Sequence, residues 1–222
     1  MKNTGHSRSV SLYFISAVIT FLVMAGQLIA YYTGNAESIS LFADTFHAGS
    51  DGVTLVGTTY LLSRTLRLFG SEVRTHRVFT FLNIALLFIG VFLAIHELYQ
   101  HRGSPVVPSW NVLIVATIGG VGDWFVKKLL NHVNIMELPK TLRTNHNANL
   151  LHIKQDFWTS IMVVVSGIAI RFGNSDVDIV LGSLITGIIF WEGVGLLYEE
   201  CSGKHFPFHL HHHTDEHCDH HH

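Results

Sequence analysis

Charge is scarce: Asp, Glu, Lys and Arg make up 14% of the 222 residues, where a soluble domain ordinarily carries about 25%. That shortfall argues against a water-soluble globule. Lys and Arg number only fourteen and form no long basic stripe, which disfavours a nucleic-acid binder. The two cysteines, Cys201 and Cys218, both lie near the C-terminal end, so no disulfide framework holds the fold. The sequence also lacks H-E-x-x-H and G-x-S-x-G, and no obvious general base stands beside its metal-ligating residues, so an enzyme is disfavoured. What is abundant is apolar residues, at 48%, and histidine, at seventeen residues. The net charge of -2 assumes neutral imidazoles, so pH or bound metal would shift it. The length allows one domain or one bundle of membrane helices.

A helix needs roughly 20 mainly apolar residues to cross a bilayer core. Six such runs are found, at 10–32, 39–63, 78–99, 110–130, 148–172 and 177–198. The first is too long for a signal-peptide core and no convincing small-residue cleavage site follows it, so it counts as a span. The fifth is the least apolar, because His152, Lys154, Gln155 and Asp156 fall near its start. Short connections make sequential helices antiparallel. The chain thus divides into an N-terminal segment (1–9), a six-helix transmembrane domain (10–200) and a histidine-rich tail (201–222), with no folded C-terminal domain expected.

The basic residues test this topology, because Lys and Arg accumulate on the cytoplasmic side. Eleven fall on one side: Lys2 and Arg8, then Arg64, Arg67, Arg74 and Arg77, then Lys127, Lys128, Lys140 and Arg143, and finally Lys204. The other side holds only Arg102 and Arg171, with Lys154 inside the fifth span. Both termini are therefore expected in the cytoplasm of an integral multi-pass membrane protein, which in a bacterium would sit in the inner membrane. The tail contains nine of the seventeen histidines, interrupted by Thr214, Asp215, Glu216, Cys218 and Asp219, unlike a plain affinity tag. It is dense in metal ligands and too polar to form a core.

A charge at the bilayer centre costs on the order of 3 kcal/mol, so each one inside a span asks for a partner or a function. The second span holds His47 and Asp51 in H-A-G-S-D, and the fifth holds His152 and Asp156 in H-I-K-Q-D. Side chains at i and i+4 share a helix face, so each span offers an imidazole beside a carboxylate. One such pair alone is matched by a buried polar contact between helices. Two facing pairs supply two nitrogens and two oxygens, a tetrahedral set that suits Zn2+. Cd2+, Co2+ or Fe2+ would also accept it. Protons and zinc compete for imidazole nitrogens near a reference pKa of about 6.5, a sufficient basis for metal–proton exchange. Asp44, three residues before His47, either orients that imidazole or is a helix-end residue, with direct ligation of the ion a less favoured third role. Lys154 lies about 200 degrees around its helix from His152; it either pairs with Asp123 of the fourth span or snorkels to the surface. Glu192 of the sixth span has no assigned partner, and its position one or two turns from the cytoplasmic end permits interfacial placement.

These residues resemble the cation diffusion facilitator family of divalent-metal/proton antiporters. The likeness rests on S-I-S-L-F-A-D-T-F-H-A-G-S-D, on Asn83 and Glu97, on N-A-N-L-L-H-I-K-Q-D, and on Asp178, which is followed by Ile179 where the family often has proline. It implies a six-helix membrane domain and a transport site of His47, Asp51, His152 and Asp156. It also implies alternating access, export of the ion from the cytoplasm, and a homodimer. Histidine at the first ligand position resembles the zinc-preferring branch. The family's cytoplasmic C-terminal domain has no room here, and the fourth loop lacks the histidine-rich insert of many eukaryotic members. Asp123 stands where asparagine is common, and Lys154 and Gln155 stand where apolar residues and glycine are usual. Without the soluble domain a dimer would need membrane-helix contacts, for which Gly119, Gly120 and Gly122 are a candidate surface. The alternative function is a membrane-anchored zinc buffer or sensor that uses the tail; the duplicated intramembrane motif favours the transporter.

Overall fold

The computed structural model describes residues 3–33, 38–65, 72–100, 110–138 and 140–202. Among these residues the chain forms six long helices and no strand: α1 (Asn3–Thr33), α2 (Ile39–Thr65), α3 (Glu72–Gln100), α4 (Trp110–Leu130), α5 (Lys140–Arg171) and α6 (Asp176–Ser202). The histidine-rich run from 203 onward lies outside the described residues. Each expected span has its helix, but α1, α3 and α5 begin several residues earlier than the apolar runs do. Those extensions, such as K-T-L-R-T-N-H-N at the start of α5, are polar. Hydropathy locates the bilayer, whereas the backbone ladder continues into water.

At 1.5 Å per residue, even the 21 residues of α4 extend about 31 Å, enough to cross a hydrocarbon core of about 30 Å. Four of the six helices, α1, α3, α5 and α6, are also apolar enough to cross a membrane on composition alone. The other two, α2 and α4, are diluted by Asp44, His47 and Asp51 and by Asp123, Lys127 and Lys128. Side-chain placement accounts for this dilution. Asp44, His47, Asp51, Asp123 and Asp156 are buried, while Leu22, Ile29, Phe92, Ile118 and Phe190 face outward. A polar interior under an apolar exterior is the arrangement that lipid, not water, stabilises. This is an integral membrane protein. Aromatic–cation pairs mark both ends of α4: Arg171 lies over Trp110 at 5.2 Å and Lys128 over Trp124 at 5.1 Å, as expected of interfacial anchors.

The helix α2 is the hub, packing on α1, α3, α5 and α6, while α5 also meets α4 and α6. Its first turn is fixed from across the bundle. Ser38 accepts from the Leu41 amide as an N-cap. Asp178 of α6, fully buried, accepts from Ser38 Oγ (2.9 Å), from the Ile39 amide (2.9 Å), from Ser40 through its amide and its hydroxyl, and from Ser166 Oγ of α5 (2.5 Å). One carboxylate thereby joins α2, α5 and α6 and neutralises the positive end of α2. Between α5 and α6 the chain reverses through Gly173, whose φ of +82° closes the helix, with the Asn174 amide donating to Ala169 O.

Two apolar clusters fill the bundle. One gathers Leu41, Leu87, Val91, Val163, Ile185 and Ile189 toward the Asp178 end, the other Tyr13, Leu55, Leu62, Leu130 and Ile153 toward the opposite end. The polar residues of α2 and α5 lie between them. Gly119 and Gly122, one candidate surface for contacts between copies, lie against α1 of the same chain. A Cβ at Gly119 would sit 3.0 Å from Gln27 Nε2, and one at Gly122 2.7 Å from Val23, so these positions serve the close approach of α4 to α1 within one chain.

Candidate functional site

Polar side chains recur along α2 as Ser40, Asp44, His47, Asp51 and Thr58 and along α5 as Asn149, His152, Asp156 and Thr159, all buried except the partly buried His152. Spacings of three, four and seven keep each set on one helix face. The two helices pack together, which turns these faces toward each other. His47 Nε2 stands 2.8 Å from Asp156 Oδ1. His47, Asp51 and Asp156 offer three ligand atoms that all lie within 4.8 Å of one another.

The chemistry of this cluster fits a cation. His47 Nδ1 and Nε2, Asp51 Oδ2 and Asp156 Oδ1 are all buried without a hydrogen-bond partner. The close approach of His47 to Asp156 therefore has the distance of a hydrogen bond without its direction. Buried polar atoms left in this state are costly in a native interior, and a shared divalent ion would satisfy all three residues at once.

Of the four ligands expected from the sequence, three are brought together and the fourth stands apart. His152 is turned so that its Nδ1 forms an ion pair with Glu192 Oε1 of α6, and this nitrogen too is buried without a hydrogen-bond partner. Glu192 is the residue that the sequence failed to place. It is not interfacial: its side chain is only 10% exposed, and Oε2 lies 3.7 Å from His47 Nδ1. The signal was present, because a carboxylate within a span asks for a partner, but the partner belongs to helices far away in sequence.

Asp44 neither bonds the His47 imidazole nor sits at a helix end. Its two oxygens accept from Gln27 Nε2 of α1 (2.9 Å) and Thr159 Oγ1 of α5 (2.8 Å), so it ties three helices together and makes no hydrogen bond with His47. Asp123 accepts from Ser160 Oγ at 3.0 Å, and Lys154 is exposed. The expected Lys154–Asp123 pair is therefore not formed, for a reason of register. Ser160, which faces α4, is six residues beyond Lys154, or about 240 degrees around the helix, so both cannot face the same neighbour. Asn83 accepts a hydrogen bond from Ser50 next to Asp51, and Glu97 accepts one from Tyr31.

The described sequence from Tyr13 onward carries a known pattern. The family model of the cation efflux transmembrane domain matches residues 13–202. The chain belongs to the cation diffusion facilitator family. Its members are transporters of divalent metal ions, and this chain has the membrane domain that does that work. No curated protein matches the chain. This cation diffusion facilitator carries its polar cluster between two apolar clusters of the bundle.

Proposed function

We propose that this protein exports zinc from the cytoplasm in exchange for protons, through an intramembrane site made of His47, Asp51, His152 and Asp156. The observation that carries the proposal is the convergence of His47, Asp51 and Asp156 from two packed helices, with ligand atoms within 4.8 Å and unsatisfied hydrogen-bonding capacity. Mixed nitrogen and oxygen donors favour zinc over magnesium or calcium, which take oxygens in greater number. Cadmium, cobalt and iron are the competing substrates. Imidazole ligates only when neutral, so protons arriving from one side displace the ion, and the ion arriving from the other displaces protons. The apolar clusters on either side of the site supply the two barriers that alternating access requires, one opened at a time. The family likeness extends the proposal to a homodimer, and the tail from 205 to 222 is assigned the task of raising local zinc at the entrance.

Zinc uptake into proteoliposomes under an imposed proton gradient tests the proposal. The parent is expected to accumulate zinc and to collapse the gradient, whereas His47→Ala and Asp156→Ala are expected to do neither. Normal transport by both variants would reject the site. Transport by the parent that is indifferent to the gradient would reject the exchange.

A further inference from the structure

The ligand set comes from α2 and α5, yet the helix that packs on both of them is α6. It sends in one carboxylate, Glu192, at the depth of the histidines. Oε1 is ion-paired with His152 Nδ1, and Oε2 lies 3.7 Å from His47 Nδ1. An imidazole has two nitrogens on diverging sides of its ring, and the bond made by one decides what the other is free to do. In His47 the division is on view: Nδ1 faces Glu192, and Nε2 faces Asp156 at 2.8 Å. His152 presents the same nitrogen to the same carboxylate, which turns its Nε2 away from α6. A histidine that ligates a metal through one nitrogen commonly gives its other N–H to a carboxylate, which fixes ring plane and tautomer. Here one carboxylate stands on that side of two rings from two different helices.

We propose that Glu192 is a positioning residue of the ion site, holding His47 and His152 by their Nδ1 sides so that both imidazoles are set to ligate through Nε2. The proposal rests on the His/Asp site put forward above and adds a third helix to it. An ordinary structural ion pair would need one partner, whereas Glu192 lies between two imidazoles that belong to the same motif pair.

The test uses the full chain purified in detergent, with zinc alone as ligand. Zinc affinity is measured by calorimetric titration, and the tautomers of His47 and His152 are read from nitrogen chemical shifts. Glu192→Gln keeps the volume and one acceptor but loses the second. It is expected to weaken zinc binding about 10- to 100-fold and to remove the uniform Nδ1–H tautomer of the two rings. In proteoliposomes it is expected to raise KM for zinc with little change in the maximal rate. Glu192→Asp keeps the charge at shorter reach and is expected to bind zinc more tightly than Glu192→Gln; it also stands in if the glutamine variant does not fold. Thr186→Val, about 1.7 turns away on α6 and bonded only to its own helix, is expected to match the parent and controls for disturbed packing. Parent-like affinity and tautomers in Glu192→Gln, or equal weakening by Asp and Gln, would overturn the positioning role. So would a loss of binding in Glu192→Gln as complete as in His47→Ala, which would make Glu192 a ligand. Parent-like affinity in His47→Ala as well as Glu192→Gln would instead reject the site itself.

Discussion

His47 of α2 meets Asp156 of α5 at 2.8 Å, so the histidine of the first motif is joined to the aspartate of the second. The two copies are crossed, and neither helix can move along the other without separating this pair. Asp156→Asn removes the charge and keeps the shape. It is expected to lower zinc transport by more than the roughly 100-fold that loss of an outer-shell partner can cost, while circular dichroism remains that of the parent. Transport within a few-fold of the parent would show that Asp156 is not a ligand.

Lys154 is exposed and has no part in the cluster. Lys154→Met is therefore expected to leave zinc transport within about two-fold of the parent, since surface changes away from special contacts cost little. A severe loss would restore a role for its charge. The same reasoning separates Asp123, which is bonded to Ser160. Asp123→Asn can still accept that bond and is expected to fold normally.

Asp178 receives five hydrogen bonds from α2 and α5. Asp178→Ala leaves several buried donors unsatisfied, each costly in an interior without water. A loss of about 2–4 kcal/mol is expected in unfolding from detergent by denaturant. Gly182→Ala tests the same contact by sterics. An added Cβ would lie 2.7 Å from Ile39 Cγ2 and 3.0 Å from the Ser40 amide, so about 1–3 kcal/mol of strain is expected.

At the opposite end, His146 is buried on the extension of α5 that precedes the span, and its Nδ1 lies 2.6 Å from the Tyr13 hydroxyl. Burial pushes this imidazole below its ordinary value. The unfolded chain therefore binds the proton more readily, near a pKa of about 6.5. Its contribution to stability is present above that pH and is lost as pH falls through the lower folded value. Thermal unfolding followed from pH 7.5 to 5 should show destabilisation on acidification, reduced in His146→Gln, which can still accept from Tyr13. An identical pH slope in both proteins would remove His146 as the cause.

Deleting residues 205–222 is expected to slow zinc transport at low zinc and to spare it at saturating zinc, as an effective-concentration role requires. Equal loss at both would reject that role.

The spans were legible because each is an apolar run of sufficient length, and the pairs His47/Asp51 and His152/Asp156 stand out as candidates because i, i+4 spacing needs only one helix to interpret. Partners across helices were not. Which residue of α5 faces α4 depends on rotation and register, and a hydropathy pattern that is apolar on nearly every side carries little rotational information. Ser160 rather than Lys154 therefore meets Asp123. Glu192 escaped for the same reason: its imidazole partners lie on α2 and α5, and only the packing of α6 on both brings them together.

The cap on α2 also sets an order of events during synthesis. Ser38 and Asp178 are separated by 140 residues, which at 5–20 residues per second is roughly 7 to 28 s of translation. For that interval the first amides of α2 have Ser38 but not their carboxylate, and water at the membrane surface must satisfy the rest. Final seating of the helix that carries His47 and Asp51 therefore waits for the last helix to enter the bilayer. A ribosome stalled before α6 would leave α2 without the carboxylate that seats its first turn.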